Sequence, residues 1–404
     1  MKKERDQYFS YSKESRFLNY KQFFLERDIL RVAFSLFEAE KTFKKCGKAD
    51  NIQILLSEQS FGRIDIKKLE RALEDLFLLI ILEDISVTIK KIDDTGGRYK
   101  KPAVFPRKEA VVLFSAGVDS YAGVKISEKR YENLIGLFVA HNDQAHIINI
   151  VNKMKLLMNT EIRTLYAPGM GSTGYSQLRG FVYMLSAGVY ANLCKATEIL
   201  VTECGPTMYQ PLFSPYDSIT YTTHPYVLKA AKDVLNIFLD TAPNIIIPFE
   251  DLTKAEVISC SGINDFSSTH SCISQRFGDH EGTCFGCVIK RLACLVSGVT
   301  DVPYKNDIFS ENSNQDNLMN ALAYSEDLLT NYDNMPFFQI DKIEEFSKAS
   351  LFKRYALDNL AGTMLGTAKE SLLYEKLLGK EKALIERIAE VRGKNKKPNF
   401  AKQV

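Results

Sequence analysis

The stretch Ala110-Val-Val-Leu-Phe-Ser115-Ala-Gly-Val-Asp119-Ser120 decides how the chain is read. An apolar, β-branched run is followed at once by small residues and an acidic–hydroxyl pair, the pattern of a strand feeding a helix through a tight turn. Ser115, Ala116 and Gly117 let a phosphate approach the backbone closely. The N–H groups of Val118 and its neighbours at a helix start supply donors and positive potential for an anion. Asp119 and Ser120 complete the candidate nucleotide loop, with Asp119 suited to a magnesium ion that bridges carboxylate and phosphate oxygens. A plain strand-to-helix turn capped by Ser115 and Asp119 accounts for the same residues. No Gly-Lys-[Ser/Thr] follows, so this is not a Walker A loop. Ala116 is a mild choice if its φ is negative and a costly one if positive.

Outward from this loop, short apolar runs alternate with helical stretches. The runs are 110–114, 134–139, 161–165, 198–202 and 244–247, and the helical stretches lie near 120–129, 143–159, 176–195, 225–239 and 253–259. Thr253-Lys-Ala-Glu256 has the form of a capping box. Such alternation predicts βαβ units and an α/β fold, a doubly wound parallel sheet. Before it, Asp28 is a candidate N-cap for a helix carrying Ile29, Val32, Leu36 and Phe37, and Ser86 to Ile92 has strand spacing. The Gly- and Pro-rich stretch from Asp93 to Pro106 reads as a linker. Residues beyond about 305 look helical, and the tail from Arg392, with five basic and no acidic side chains, is expected to be frayed. The expected division is an N-terminal α+β extension at 1–105, a nucleotide core at 106–265, a cysteine-bearing lobe at 266–304 and a helical C-terminal extension at 305–404.

Composition narrows the classes. The 404 residues are 45% hydrophobic and 25% charged, which is ordinary for a globular chain. Lys plus Arg at 52 against Asp plus Glu at 50 leaves +2, so nothing draws the whole chain to nucleic acid. The apolar run Leu76 to Leu82 is far shorter than the roughly 20 residues a membrane helix needs. MKKERDQYF lacks a secretory h-region, and eight dilute cysteines do not make a disulfide scaffold. The expectation is a cytoplasmic protein with no membrane or nucleic-acid partner.

The cysteines are informative where they cluster. Cys272 stands twelve positions before Cys284-Phe-Gly-Cys287, a spacing suited to one shared tetrahedral ion. A buried reduced group or a redox pair are the other readings.

Ser115-Ala-Gly-Val-Asp-Ser120 resembles the SGGxDS signature of PP-loop ATP pyrophosphatases. Taken with Cys272, Cys284 and Cys287, it resembles the 7-cyano-7-deazaguanine synthase (QueC-like) family. Gln177-Leu-Arg-Gly-Phe, Glu203-Cys-Gly205, Thr222-Thr-His-Pro225 and Thr253-Lys-Ala-Glu256 resemble blocks of its branch in anti-phage defence operons. The resemblance covers about residues 105–305. It implies ATP and magnesium as cofactors and zinc on Cys272, Cys284, Cys287 and His280, with Glu281 the runner-up fourth ligand. It also implies Ser115, Asp119 and Arg179 as catalytic, Glu203 and His224 at the substrate, and a homodimer.

The expected activity is adenylation of a carboxylate, 7-carboxy-7-deazaguanine, with pyrophosphate release and transfer to nitrogen. Ammonia would give an amide or nitrile, as in queuosine precursor synthesis. An amine of an operon partner protein would give a deazaguanine-modified acceptor. RNA thiolation with Cys194 or Cys204 as persulfide carrier, and a nucleotide-binding scaffold without turnover, are the alternatives.

Overall fold

The run Ala110–Leu113 is the middle strand of a five-stranded parallel sheet. The computed structural model describes residues 21–47, 51–92, 105–140, 145–166, 176–209, 222–273, 279–310, 312–334, 342–393 and 396–404. The strands are β1 (Asn51–Ser57), β2 (Ser86–Ile92), β3 (Ala110–Leu113), β4 (Leu134–Ala140), β5 (Glu161–Tyr166), β6 (Glu198–Leu200) and β7 (Asn244–Ile246). The helices begin with α1 (Phe24–Cys46), α2 (Glu58–Phe61), α3 (Ile66–Ile81), α4 (Val118–Ser127), α5 (Ala145–Met154), α6 (Arg179–Cys194) and α7 (Gly205–Tyr209). They continue with α8 (Pro225–Phe238), α9 (Lys254–Ser261), α10 (Phe285–Ser297), α11 (Asp316–Thr330), α12 (Lys342–Gly366), α13 (Leu372–Glu375) and α14 (Glu381–Arg392). Among the described residues no helix is long and apolar enough to cross a membrane.

The large sheet runs β5-β4-β3-β6-β7 with every pair parallel. Each of the five expected runs is one of its strands. Side chains alternate across it: Val111, Ile135 and Leu137 join a core with α6 and α8, whereas Val112, Leu134 and Phe138 join a core with α4, α9 and α10. The first crossovers therefore lie on one face and the later ones on the other. The chain is a mixed α/β protein with a Rossmann-like order, and its direction reverses between β3 and β6.

The N-terminal region is a parallel β1–α3–β2 unit rather than the expected α+β arrangement. Glu74 and Glu70 of α3 accept the N–H groups of Val87 and Ile89 on β2, at 2.8 and 3.0 Å. The unit attaches to the core through α1, whose buried Glu40 accepts from Ser176 Oγ, Gln177 N and Leu178 N just before α6. Asp28 is not an N-cap. The helix starts at Phe24, and Asp28 is buried within it, accepting from Arg31 Nη1 and from Ser57 N at 2.9 Å. Its first turn carries Glu26 and Arg27, both buried, so charge disguised that turn as surface.

The basic tail is not frayed among its described residues. Ile247 N donates to Lys402 O at 3.1 Å, Val404 N donates to Ile245 O at 3.2 Å, and Gln403 bridges Ile246 in antiparallel sense. The unpaired edge of β7 gives these residues a backbone partner. The expected linker lies outside the described residues over 93–104.

Candidate functional site

The loop after β3 is wired to itself. Ser120 Oγ lies 3.2 Å from both Ser115 N and Ser115 Oγ and donates to Gly117 O at 3.1 Å. Gly117 N donates to Ser115 Oγ at 3.4 Å, and α4 begins with Gly117 as its extended N-cap. Ala116 has φ 63°, in the left-handed region, so the costly case for alanine is the one realised. Its carbonyl accepts from His270 N at 2.9 Å, which ties the loop to the chain leading into the cysteine lobe.

Helix α4 packs against the chain just after β6 closely enough that a Cβ on Gly123 would stand 2.3 Å from Thr202 Cβ. This approach brings Asp119, reached from β3, against Glu203, reached from β6. Both sit at the carboxyl edge where the winding reverses, the place where open α/β sheets form a crevice. Lys254, first residue of α9 after β7, donates from Nζ to Asp119 Oδ2 at 2.5 Å. Cys204 N donates to the same oxygen at 3.4 Å. Ligand atoms of Asp119, Glu203 and Cys204 all lie within 4.8 Å of one another.

Two acids here share one ammonium. Burial and the neighbouring Asp119 charge push the Glu203 carboxyl well above its ordinary range. Burial would raise Asp119 too, but the Lys254 charge together with hydrogen bonds from Glu203, Lys254 and Cys204 holds Asp119 low. Burial works against the Lys254 charge, but Asp119 and the other acidic groups beside it together push the Lys254 pKa up, so Lys254 stays protonated. Burial, then Asp119, pushes the Cys204 thiol up. The result is a carboxylate–ammonium pair beside a carboxyl whose charged form is strongly disfavoured.

Sequence reasoning missed Lys254. Its signal was present in the capping box: Thr253 Oγ1 accepts from Glu256 N, and Glu256 Oε2 accepts from Thr253 N at 3.0 Å. That box fixes where α9 starts, and so places Lys254 at the mouth of the sheet.

The remaining residues are dispersed. Arg179 opens α6, and a Cβ on the adjacent Gly180 would overlap the backbone of Thr222, so this turn abuts the 222–224 segment. His224 is the N-cap of α8, accepting from Tyr226 N on Nδ1 at 3.3 Å, with Pro225 at the first helical position. Burial lowers the His224 pKa to about 4, which keeps the ring neutral.

Cys272, Cys284 and Cys287 come together, with Cys284 Sγ 3.8 Å from Cys272 Sγ and all three thiols buried. Hydrogen bonding from Cys287 holds Cys284 down to about 5, and the same interaction pushes Cys287 up. The group can hold a metal ion. Neither expected fourth ligand joins it among the described residues. The His280 ring lies 4.9 Å from that of His270 and edge-on to Tyr304. Glu281 accepts instead from Thr283 N, Thr283 Oγ1 and Cys284 N.

A groove of about 710 Å³ lies elsewhere, between α3 and α8, lined by residues including Lys67, Arg71, Asp75 and Lys229. Its charges are mixed and surface-borne, so the chemistry is assigned to the sheet edge.

No protein-family model and no curated protein matches the chain. Among solved structures, that of NMN synthetase from Francisella tularensis is similar over 34% of this chain and 67% of that one, at 14% identity and a TM-score of 0.22. A likeness that shallow carries no argument.

Proposed function

We propose that the chain is a PP-loop-type, ATP-dependent ligase that adenylates a carboxylate and passes it to nitrogen. The observation that carries this reading is the convergence of Asp119, Glu203 and Lys254 beside a small-residue loop at the switch point of the sheet. Ser115–Ser120 would cradle phosphate through backbone N–H groups at the α4 N-terminus. Lys254 would meet charge developing on the pyrophosphate. Magnesium fits the donor set, because Asp119 and Glu203 offer carboxylate oxygens and Cys204 keeps its proton. When bound, it would neutralise phosphate charge.

The resemblance to QueC-like proteins in the loop and the cysteine spacing supports a deazapurine acid, 7-carboxy-7-deazaguanine, as substrate. The acceptor is ammonia or an amine of a partner protein. Zinc fits the three thiols: an S–S separation of about 3.8 Å is the tetrahedron edge for zinc–sulfur bonds of about 2.3 Å. Its role would be to hold the lobe that carries His270 to the loop. RNA thiolation gains nothing here, since burial pushes both Cys194 and Cys204 up and keeps them as thiols.

Pyrophosphate release with ATP, magnesium and 7-carboxy-7-deazaguanine tests the reading, with metal analysis alongside. Release above the no-acid control supports it. No release with this acid or other purine-like carboxylates, despite stoichiometric zinc, overturns it in favour of a scaffold.

A further inference from the structure

The C-terminal helices reach the site through one carboxylate. Glu256, three residues into α9, divides its oxygens: Oε2 closes the capping box on Thr253 N at 3.0 Å, and Oε1 accepts from Arg387 Nη2 and Arg354 Nε, each at 2.9 Å. Arg387 lies on α14 and is only 2% exposed. It also donates to Asp358 Oδ1 of α12 at 2.7 Å, to Glu390 Oε2 at 2.8 Å and to Thr253 Oγ1 at 3.4 Å. The chain just before α9 is gripped as well. Arg354 Nη2 donates to Asp251 O at 2.7 Å, and Lys348 Nζ donates to Glu250 Oε1 and Asp251 Oδ1.

A capping box completes a helix start without outside help. Two guanidiniums brought about a hundred residues along the chain to that box do something more: they fix α9 against α12 and α14. What the fixed turn carries into the crevice is Lys254. A lysine side chain is long and rotamer-rich, so its placement on Asp119 depends on a backbone held still.

We propose that Arg387 is a positioning residue for Lys254, so that the C-terminal extension holds the cationic half of the site from behind. The reading above supplies Lys254 with its task, but the positioning can be measured without it. In the full-length Arg387→Gln variant, Lys254 should acylate with an amine-reactive acetylating reagent at least about tenfold faster than in wild type, read by peptide mass spectrometry. Turnover, where present, should fall about a hundredfold in kcat with the KM for ATP little changed. Arg387→Lys should recover part of both, and Lys380→Ala, which breaks an outer pair with Glu326 on the same extension, should change neither. If Arg387→Gln does not fold, Glu256→Gln keeps an acceptor for the capping box while removing the charge that draws Arg387, and the same result is expected. Lys254 as protected as in wild type, in either folded variant, overturns the proposal. A chain that releases no pyrophosphate but whose Lys254 labelling follows Arg387 sinks the ligase reading and leaves the positioning in place.

Discussion

Two buried charge clusters meet on the first turn of α9, and they are built in opposite ways. Around Glu256, the acids Glu256, Asp358 and Glu390 face three cations, Arg354, Arg387 and, on Glu390, Lys396, and the guanidinium donors are spread over all three acids. Burial pushes Asp358 up to about 6 against the pull of Arg387, which still leaves it ionised at neutral pH. Around Lys254, one ammonium stands beside Asp119 and Glu203, and burial with the Asp119 charge drives the Glu203 carboxyl up. Saturation with fixed partners is how a fold makes buried charge tolerable. A shortfall of positive charge, at a sheet edge where ligands enter, marks a place that a substrate or cation completes. The first cluster is closed by its own partners, and the second is the one to which the proposed ligase chemistry is assigned.

The sharpest way to break this contrast is to remove one acid from the unbalanced side. Asp119→Ala should lower pyrophosphate release by about a thousandfold or more, the loss expected when a preorganised charged group leaves a catalytic site. The thermal midpoint should stay at or above that of wild type, because one of two crowded acids is gone. A variant that unfolds instead would make this cluster as structural as its neighbour.

On the balanced side the expectation inverts. Arg387→Ala strands Glu256 and Asp358 and should cost about 3–5 kcal/mol in urea unfolding, the usual penalty for breaking a buried ion pair. A cost under about 1 kcal/mol, the range of exposed pairs, would mean that water replaces the guanidinium and that the cluster is not closed.

Glu203 gives a smaller effect with a definite sign. Its folded pKa is raised, so the stability it contributes is present below its unfolded pKa and is lost as pH rises through the folded value. Glu203→Gln does not titrate. Its thermal midpoint should therefore gain on wild type progressively as pH rises above the ordinary glutamate range, while magnesium-dependent turnover falls. Parallel melting curves at every pH would remove Glu203 from the unbalanced cluster.

What the sequence disclosed follows the reach of each interaction. The five strands, the capping box at Thr253 and Glu256 and the phosphate-type loop are local patterns, legible in a few residues each. The three cysteines were legible because metal chemistry restricts spacing. Lys254 on Asp119 and Arg387 on Glu256 join residues 135 and 131 positions apart, which no window of periodicity contains. The place of His280 was not legible: its ring lies beside His270 and Tyr304, residues no spacing to the cysteines points to. The tail was misjudged because its partner is the open edge of β7, a property of the assembled sheet.

The smallest expected effect asks whether the loop after β3 differs from the Glu256 cluster by charge alone or also by backbone strain. Ala116, at φ 63°, carries a left-handed penalty of about 1–2 kcal/mol that glycine would not. Two losses oppose that gain in Ala116→Gly. The methyl group is fully buried, and removing it forfeits about 0.8 kcal/mol. Glycine also frees the unfolded chain by about 0.4–1 kcal/mol. The sum falls near zero, so the variant should unfold within about 0.5 kcal/mol of wild type and keep its turnover. A gain well beyond that, with slower pyrophosphate release, would show that the strained alanine holds the loop in its working shape. A clear loss would assign the position to packing against its neighbours. Near-equality leaves charge as the difference between the two clusters, with His270 N on Ala116 O holding the turn whichever side chain it bears.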